Sequence, residues 1–219
     1  MTRVKICGVT NQRDLDLVTG LGVDAVGFIT GIPSSPRNVS YEMAKTLVDN
    51  TPVFTKSVLV MAPESLEEAV EVSEYVRPDA LQIHGEKIDF KELSEAIGCV
   101  DVIKPFNVND LDCESTALDA AALCDAVLID SPTSAKLGGT GRVHDWDISR
   151  RIAETIKPKP LILAGGLEPG NVAEAIRVVR PYGVDVCTGT EASHGVKDPE
   201  KVRGFLSAVI EADGRYRFE

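Results

Sequence analysis

The chain has 219 residues, 43% hydrophobic and 26% charged, and its 34 acidic and 23 basic residues leave a net charge of −11. That balance argues against a nucleic-acid or anionic-membrane surface, since both call for a basic face. No apolar run approaches the roughly 18 residues of a membrane span. Five cysteines without short paired spacing (Cys7, Cys99, Cys113, Cys124, Cys187) argue against a disulfide framework or a structural zinc site. The N-terminus enters a strand directly, with no signal-peptide core, so the expected compartment is the cytoplasm.

Along the chain, apolar or β-branched runs alternate with amphipathic stretches eight times. The runs predict strands near Val4–Cys7, Ala25–Ile29, Phe54–Val60, Ala80–Ile83, Val100–Lys104, Ala126–Asp130, Leu161–Ala164 and Val184–Val186. The stretches between predict helices near Gln12–Gly20, Tyr41–Asp49, Pro63–Val76, Phe90–Ile97, Leu111–Leu123, Trp146–Ile156, Asn171–Val179 and Pro199–Ala212. Ser40 and Asp198 have the chemistry of N-caps, the second followed by proline at the first helical position. Gly20 and Gly98 suit helix ends. No linker divides the chain, which predicts one domain over residues 1–219 with a loosely attached tail.

Short apolar strands joined by helices imply a parallel sheet covered on its faces. Eight such units predict an α/β fold, a single-domain (β/α)8 TIM barrel, with an open doubly wound sheet as the alternative. In a barrel the reactive groups sit at the C-terminal ends of the strands.

Two residues fall there by strand position. Period-two alternation puts Lys5 and Cys7 on one face of the first strand and Val4 and Ile6 on the other. If the apolar pair meets the helices, Cys7 lies inside the barrel beside a cation that would lower its thiol pKa. It then reads as a base or nucleophile, or else as an inert buried cysteine. Asp130 closes Val127-Leu128-Ile129, where a carboxyl must be paired, hydrogen-bonded or used. Its alternative is a turn aspartate ahead of Ser131-Pro132. Asp185, ending Gly183-Val184-Asp185, carries the same alternatives.

Glycine turns gather in the second half: Gly138-Gly139-Thr140-Gly141, Gly165-Gly166, and Thr188-Gly189 after Cys187. Loops after the seventh and eighth strands form the usual phosphate site of such barrels, because glycine lets backbone N–H groups approach an anion. None matches a nucleotide fingerprint. Arg37, after the second strand, reads as a carboxylate partner or as a solvated side chain. Gln82 and His84 share a face of the fourth strand, where His84 is either a site residue or a structural one. His144 and His194 are loop residues, and three scattered histidines give no metal-ligand spacing.

These segments together resemble the phosphoribosylanthranilate isomerase family of tryptophan biosynthesis. The resemblance runs in order through Lys5-Ile6-Cys7-Gly8, Ser35-Pro36-Arg37, Gln82-Ile83-His84-Gly85, Asp130, Gly138-Gly139-Thr140-Gly141 with Asp145-Trp146, and Leu163-Ala164-Gly165-Gly166-Leu167 with Asn171-Val172. It ends at Gly183-Val184-Asp185-Val186 and Gly195-Val196-Lys197-Asp198. It implies an intramolecular oxidoreductase of the aldose–ketose type, which carries out an Amadori rearrangement. Cys7 would be the general base and Asp130 the general acid. Arg37 would pair with the anthranilate carboxylate, Gly165, Gly166, Thr188 and Gly189 would cradle the phosphate, and Asp185 would join the substrate site. The only partner implied is the small-molecule substrate, with no cofactor and no metal, in a monomer or a homodimer.

Two segments depart from the family pattern. Cys187-Thr188-Gly189-Thr190 stands where two serines usually precede the glycine, and Thr30 stands where relatives are more often apolar or aromatic. Rival readings are a histidine-pathway Amadori isomerase, an indole-glycerol-phosphate synthase-like barrel, and a phosphate-binding barrel without catalysis. The first would be expected to use two aspartates.

Overall fold

The computed structural model describes residues 1–107, 113–130 and 146–214. Eight parallel strands form a ring: β1 (Arg3–Cys7), β2 (Ala25–Thr30), β3 (Lys56–Met61), β4 (Ala80–Ile83), β5 (Asp101–Asn107), β6 (Ala126–Asp130), β7 (Leu161–Leu163) and β8 (Gly183–Val186). Neighbours pair in chain order and β1 pairs with both β2 and β8, so the sheet closes. Closure excludes the open doubly wound alternative.

Eight helices surround the ring: α1 (Gln12–Gly20), α2 (Tyr41–Asp49), α3 (Leu66–Val76), α4 (Phe90–Ile97), α5 (Cys113–Leu123), α6 (Trp146–Thr155), α7 (Val172–Val179) and α8 (Pro199–Ala212). Two short additions lie at the C-terminal end of the barrel. Asn38–Val39 runs parallel to the end of β2, and Glu191–Ser193 pairs with Val196–Lys197 as an antiparallel hairpin after β8. No helix among the described residues is long and apolar enough to cross a membrane.

The alternation expected of β1 holds. Val4 and Ile6 pack into the layer between strands and helices, while Cys7 joins the inner cluster with Val58, Val60, Ala80, Ile103, Ala126, Leu128 and Ala164. Apart from Leu128, the inner residues are small or β-branched, which suits the narrow interior of an eight-stranded barrel. The expected caps also hold. Ser40 accepts from the Met43 N–H, and Asp198 accepts from the N–H groups of Glu200 and Lys201.

Among the described residues, three boundaries differ from expectation by two residues or more. The run from Phe54 was expected to be strand, but Phe54 is 96% exposed in a turn and β3 starts at Lys56. Helix α3 begins at Leu66 rather than Pro63, because the Ser65 hydroxyl caps the Glu68 N–H and fixes the start. Strand β5 continues to Asn107, where it pairs with Asp130 of β6. The Ser131-Pro132 turn, the Gly138–Gly141 segment, His144 and Asp145 lie outside the described residues.

One repeat organises the N-terminal end of the barrel. Asp24-Ala25, Asp79-Ala80 and Asp125-Ala126 open β2, β4 and β6. Each aspartate accepts from the backbone N–H of the second residue of the preceding odd strand: Asp24 from Val4 at 2.8 Å, Asp79 from Ser57 at 2.7 Å, and Asp125 from Val102 at 2.9 Å. The N–H of each aspartate returns a bond to the carbonyl of the same residue. Donors at a strand start have no ladder partner, and these carboxylates satisfy them in pairs of strands. Asp79 also accepts from the buried Ser57 hydroxyl. Asp79→Ala strands both Ser57 donors and is expected to cost about 1–3 kcal/mol. A urea midpoint lowered by that amount, with kcat unchanged, is the expected result.

Candidate active site

A cavity of about 1200 Å3 opens at the C-terminal end of the barrel. Its lining includes Cys7, Arg37, Gln82, His84, Asp130, Gly165, Gly166, Asp185, Cys187, Thr188 and Gly189. Every site residue expected from the sequence is therefore on one surface. A smaller cavity of about 500 Å3 at the opposite end contains neither Cys7 nor Asp130.

Lys5, expected beside Cys7, is buried one residue pair deeper than the cavity floor. Its ammonium donates to Asp185 Oδ2 at 2.9 Å and to Gln82 Oε1 at 3.1 Å. Burial pulls its pKa down, but Asp185 and the Cys7 sulfur outweigh burial and the net shift is upward. Lys5 is therefore a permanent cation under the site. The other oxygen of Asp185, Oδ1, is buried with no partner among the described residues. A buried carboxylate oxygen with nothing to accept from is costly unless something occupies the cavity.

Cys7 and Cys187 adjoin at the seam between β1 and β8. Those strands pair Lys5 with Asp185 and Ile6 with Val186. One residue further, Cys7 ends β1 and Cys187 leaves β8, and both pack against the inner cluster. The Cys187 thiol donates to the Cys7 sulfur, and this is the largest cause lowering the Cys7 pKa to about 7. Burial opposes the shift, and the charges of Lys5 and Lys197 assist it. The same bond and burial hold the Cys187 proton on, well above the usual thiol range. Glu191 Oε1, 3.8 Å from Cys187 Sγ, is the competing acceptor for that proton. Glu191 already accepts from four other donors. The sequence pointed to Lys5 as the group that activates Cys7; Lys5 contributes, and Cys187 contributes more.

Asp130 ends β6 half-buried at the cavity wall. Burial and the neighbouring Asp185 push its pKa up, with Lys5 pulling the other way. His84, hydrogen-bonded to Gln82 Nε2 at 3.1 Å, is pushed down, first by burial and then by Lys5. It is a neutral wall residue near pH 7.

Arg37 lies against the hairpin. Its Nε and Nη2 donate to the two oxygens of Glu191 at 2.7 and 2.6 Å, and Nη2 also donates to Thr188 Oγ1 at 3.0 Å. Among the described residues Nη1 has no acceptor, so that corner faces the cavity uncommitted. Glu191 is buried and also accepts from Lys197 Nζ at 3.3 Å and the Gly195 N–H at 3.3 Å. Burial raises its pKa, and the two cations bring it below the usual range. Lys197 in turn donates to the carbonyls of Cys7 at 2.6 Å and Cys187 at 3.3 Å. This cluster fastens Arg37 and both cysteine backbones to one buried carboxylate. Gly8, at φ +73°, makes room for it, because a Cβ there would meet Arg37 Cδ and Cys187 Sγ at 2.7 Å.

The turns after β7 and β8 meet at Gly189, where a Cβ would lie 2.0 Å from the Leu167 carbonyl oxygen. That approach brings Gly165, Gly166, Thr188 and Gly189 to one corner of the cavity. Among the described residues none accepts from the N–H groups of Gly165, Gly166 or Gly189. They form a cluster of donors suited to an anion. No group of three His, Cys, Asp or Glu residues among those described is placed to hold a metal.

A family model described as N-(5'-phosphoribosyl)anthranilate (PRA) isomerase matches residues 4–208. The chain belongs to this isomerase family. N-(5'-phosphoribosyl)anthranilate isomerase of Haloferax volcanii is 45% identical over 216 residues, covering 98% of this chain and 96% of that one. The crystal structure of phosphoribosyl anthranilate isomerase from Thermotoga maritima superposes with a TM-score of 0.82 at 36% identity, over 98% of this chain and 100% of that one. A crystal structure of the isomerase in complex with reduced 1-(o-carboxyphenylamino)-1-deoxyribulose 5-phosphate gives 0.80 at 35% identity, with the same coverage.

Within this family frame, sequence reasoning missed Cys187, Glu191 and Lys197. Cys187 was legible in principle from its place at the end of the last strand, the neighbour of the first once the barrel closes. Glu191 and Lys197 lie in a hairpin without a strong period, so nothing local marked them. Replacing Cys187 with alanine removes the donor to the thiolate. The Cys7 pKa is expected to rise in Cys187→Ala, so that alkylation of Cys7, followed by peptide mass spectrometry across pH, shifts to more alkaline pH. An unshifted profile would return the activation to Lys5.

Proposed function

We propose that the chain isomerises N-(5-phosphoribosyl)anthranilate to the 1-deoxyribulose 5-phosphate derivative, with Cys7 as general base and Asp130 as general acid. Family membership supports the reaction and disfavours the histidine-pathway rival. One observation carries the assignment of roles: on the walls of the same cavity, a thiol is shifted down and a carboxyl up. Shifts of this kind bring a thiol and a carboxyl toward the neutral range in which a general base and a general acid work best.

Asp130 protonates the furanose ring oxygen, the C–O bond breaks, and the nitrogen lone pair forms a Schiff base. The Cys7 thiolate then removes the proton from sugar carbon 2, leaving an enolamine that tautomerises to the ketone. Lys5 beneath the site stabilises the thiolate before the transfer, and Asp185 Oδ1 accepts from a sugar hydroxyl. The N–H groups of Gly165, Gly166 and Gly189, with Thr188, hold the phosphate. Arg37 presents Nη1 to the anthranilate carboxylate, its other edge kept by Glu191. The chain works as one domain in the cytoplasm, in keeping with free cysteines at 7, 99, 124 and 187. A Thermotoga maritima relative is described as dimeric; a homodimer or a monomer here is a matter for sedimentation.

Loss of phosphoribosylanthranilate fluorescence tests the roles directly. Cys7→Ala and Asp130→Ala are each expected to lower kcat by roughly 10²–10⁴-fold with KM little changed. Full activity in either variant would remove that residue from its role, and an inactive wild type would favour a binding barrel. Arg37→Ala is expected to act chiefly on KM, raising it about 10–100-fold for the loss of a charge-assisted bond.

A further inference from the structure

Cys187 is a second thiol in the cavity that the proposed reaction does not consume. Its position is set by the barrel itself. Parallel strands lie about 4.7–4.9 Å apart, and a disulfide needs Cα atoms about 4.4–6.8 Å apart with side chains on the same side. Cys7 ends β1 and Cys187 follows β8, just beyond the last β1–β8 pair, Ile6 with Val186, and both pack against the inner cluster. Lys197 Nζ donates to the carbonyls of both, at 2.6 and 3.3 Å, and Cys187 Sγ lies against Gly8, the residue after Cys7. Both line the open cavity, so a small oxidant reaches them from solution. The other two thiols with described side chains are placed differently: Cys124 is buried and donates to the Ala120 and Ala126 carbonyls, and Cys99 is exposed at the far end of α4.

We propose that Cys7 and Cys187 form a modification site: a peroxide converts the pair to a reversible intramolecular disulfide that closes the active site. The first step uses the Cys7 thiolate, populated at neutral pH because its pKa is near 7. Its sulfur attacks one peroxide oxygen, the S–O bond forms, the O–O bond breaks, and hydroxide leaves to be protonated to water. The Cys187 sulfur then attacks the resulting sulfenic sulfur. The S–S bond forms, the S–O bond breaks, and the hydroxyl departs as water with the Cys187 proton. Two thiols are oxidised by two electrons and one peroxide becomes two waters. A dithiol reverses the bond by exchange. Lys5 and Lys197 favour the Cys7 thiolate that makes the first attack, and Cys187 keeps the proton that leaves with the hydroxyl in the second.

The predicted loss of activity rests on the reading of Cys7 as base; the bond itself does not. The test is hydrogen peroxide added to the full chain, read in parallel by intact mass, by non-reducing peptide mapping and by isomerase activity. The expected wild-type result is a loss of two hydrogens in mass, with the Cys7 and Cys187 peptides linked. Activity falls in proportion to the linked fraction, and dithiothreitol restores both. In Cys187→Ser the link is absent and Cys7 gains oxygen, passing to states that dithiothreitol does not reverse. Wild-type protein that gains oxygen at Cys7 without a link, or that links through Cys99 instead, overturns the proposal. A complete link with activity intact upholds the disulfide and removes Cys7 from its role as base.

Discussion

The seam where β1 meets β8 is the constraint on which the site depends. Closing the ring brings the first and last strands into register, so that Lys5 lies against Asp185 and the carbonyls of Cys7 and Cys187 share the Lys197 ammonium. An open sheet would leave β1 and β8 at opposite edges and separate both pairs. The buried ammonium and carboxylate at the seam are tolerable because each compensates the other and Gln82 supplies a further bond. Their field then acts on everything above them. It favours the thiolate at Cys7, disfavours the imidazolium at His84, and reaches Asp130 with opposing signs from Lys5 and Asp185. A single layer of polar side chains inside an otherwise apolar barrel thus sets the protonation states around the whole cavity.

Above that layer, Glu191 is the second organising group. Its carboxylate takes bonds from Arg37, Lys197 and the Gly195 N–H, and Lys197 passes the connection to the carbonyls ending β1 and β8. The charges are desolvated, so holding them in place needs several partners at once, and the hairpin provides them. The result is a rigid rim. Arg37 has one edge occupied and one corner turned to the cavity, which suits recognition of a planar carboxylate more than random solvation would. The phosphate corner has a different origin. It arises from two turns packed so closely that Gly189 has no room for a side chain, which leaves backbone donors facing the same space.

Much of this was visible in the residue order. Eight alternating runs were enough for the barrel, alternation within β1 sorted Cys7 to the interior and put Gln82 and His84 on one face of β4, and Asp130 and Asp185 stood out as carboxyls closing apolar strands. Strand period is a local property, and each of those strands obeys it. Boundaries were less legible where two signals competed. Phe54 extended an apolar run but sits in an exposed turn, and Ser65 rather than Pro63 set the start of α3 because a side-chain cap is stronger punctuation than a proline upstream. The Asp-Ala repeat before β2, β4 and β6 went unread because its meaning lies in the neighbouring strand, whose free donors the aspartates satisfy.

What the sequence determined by itself was the set of parts: eight strand–helix units, a thiol and a carboxyl at strand ends, glycine turns in the last two units, and an ordered resemblance to one isomerase family. What only the tertiary structure decided was how those parts act on each other. That Cys187 rather than Lys5 is the leading influence on Cys7, that Arg37 is braced by Glu191, and that Asp185 keeps one oxygen unspent all depend on contacts between residues more than a hundred positions apart. Pair energies at such contacts vary steeply with distance and burial, and neither is written in the local chain. The physical reason is closure: chain order lists β1 and β8 as its two ends, and only the ring makes them neighbours.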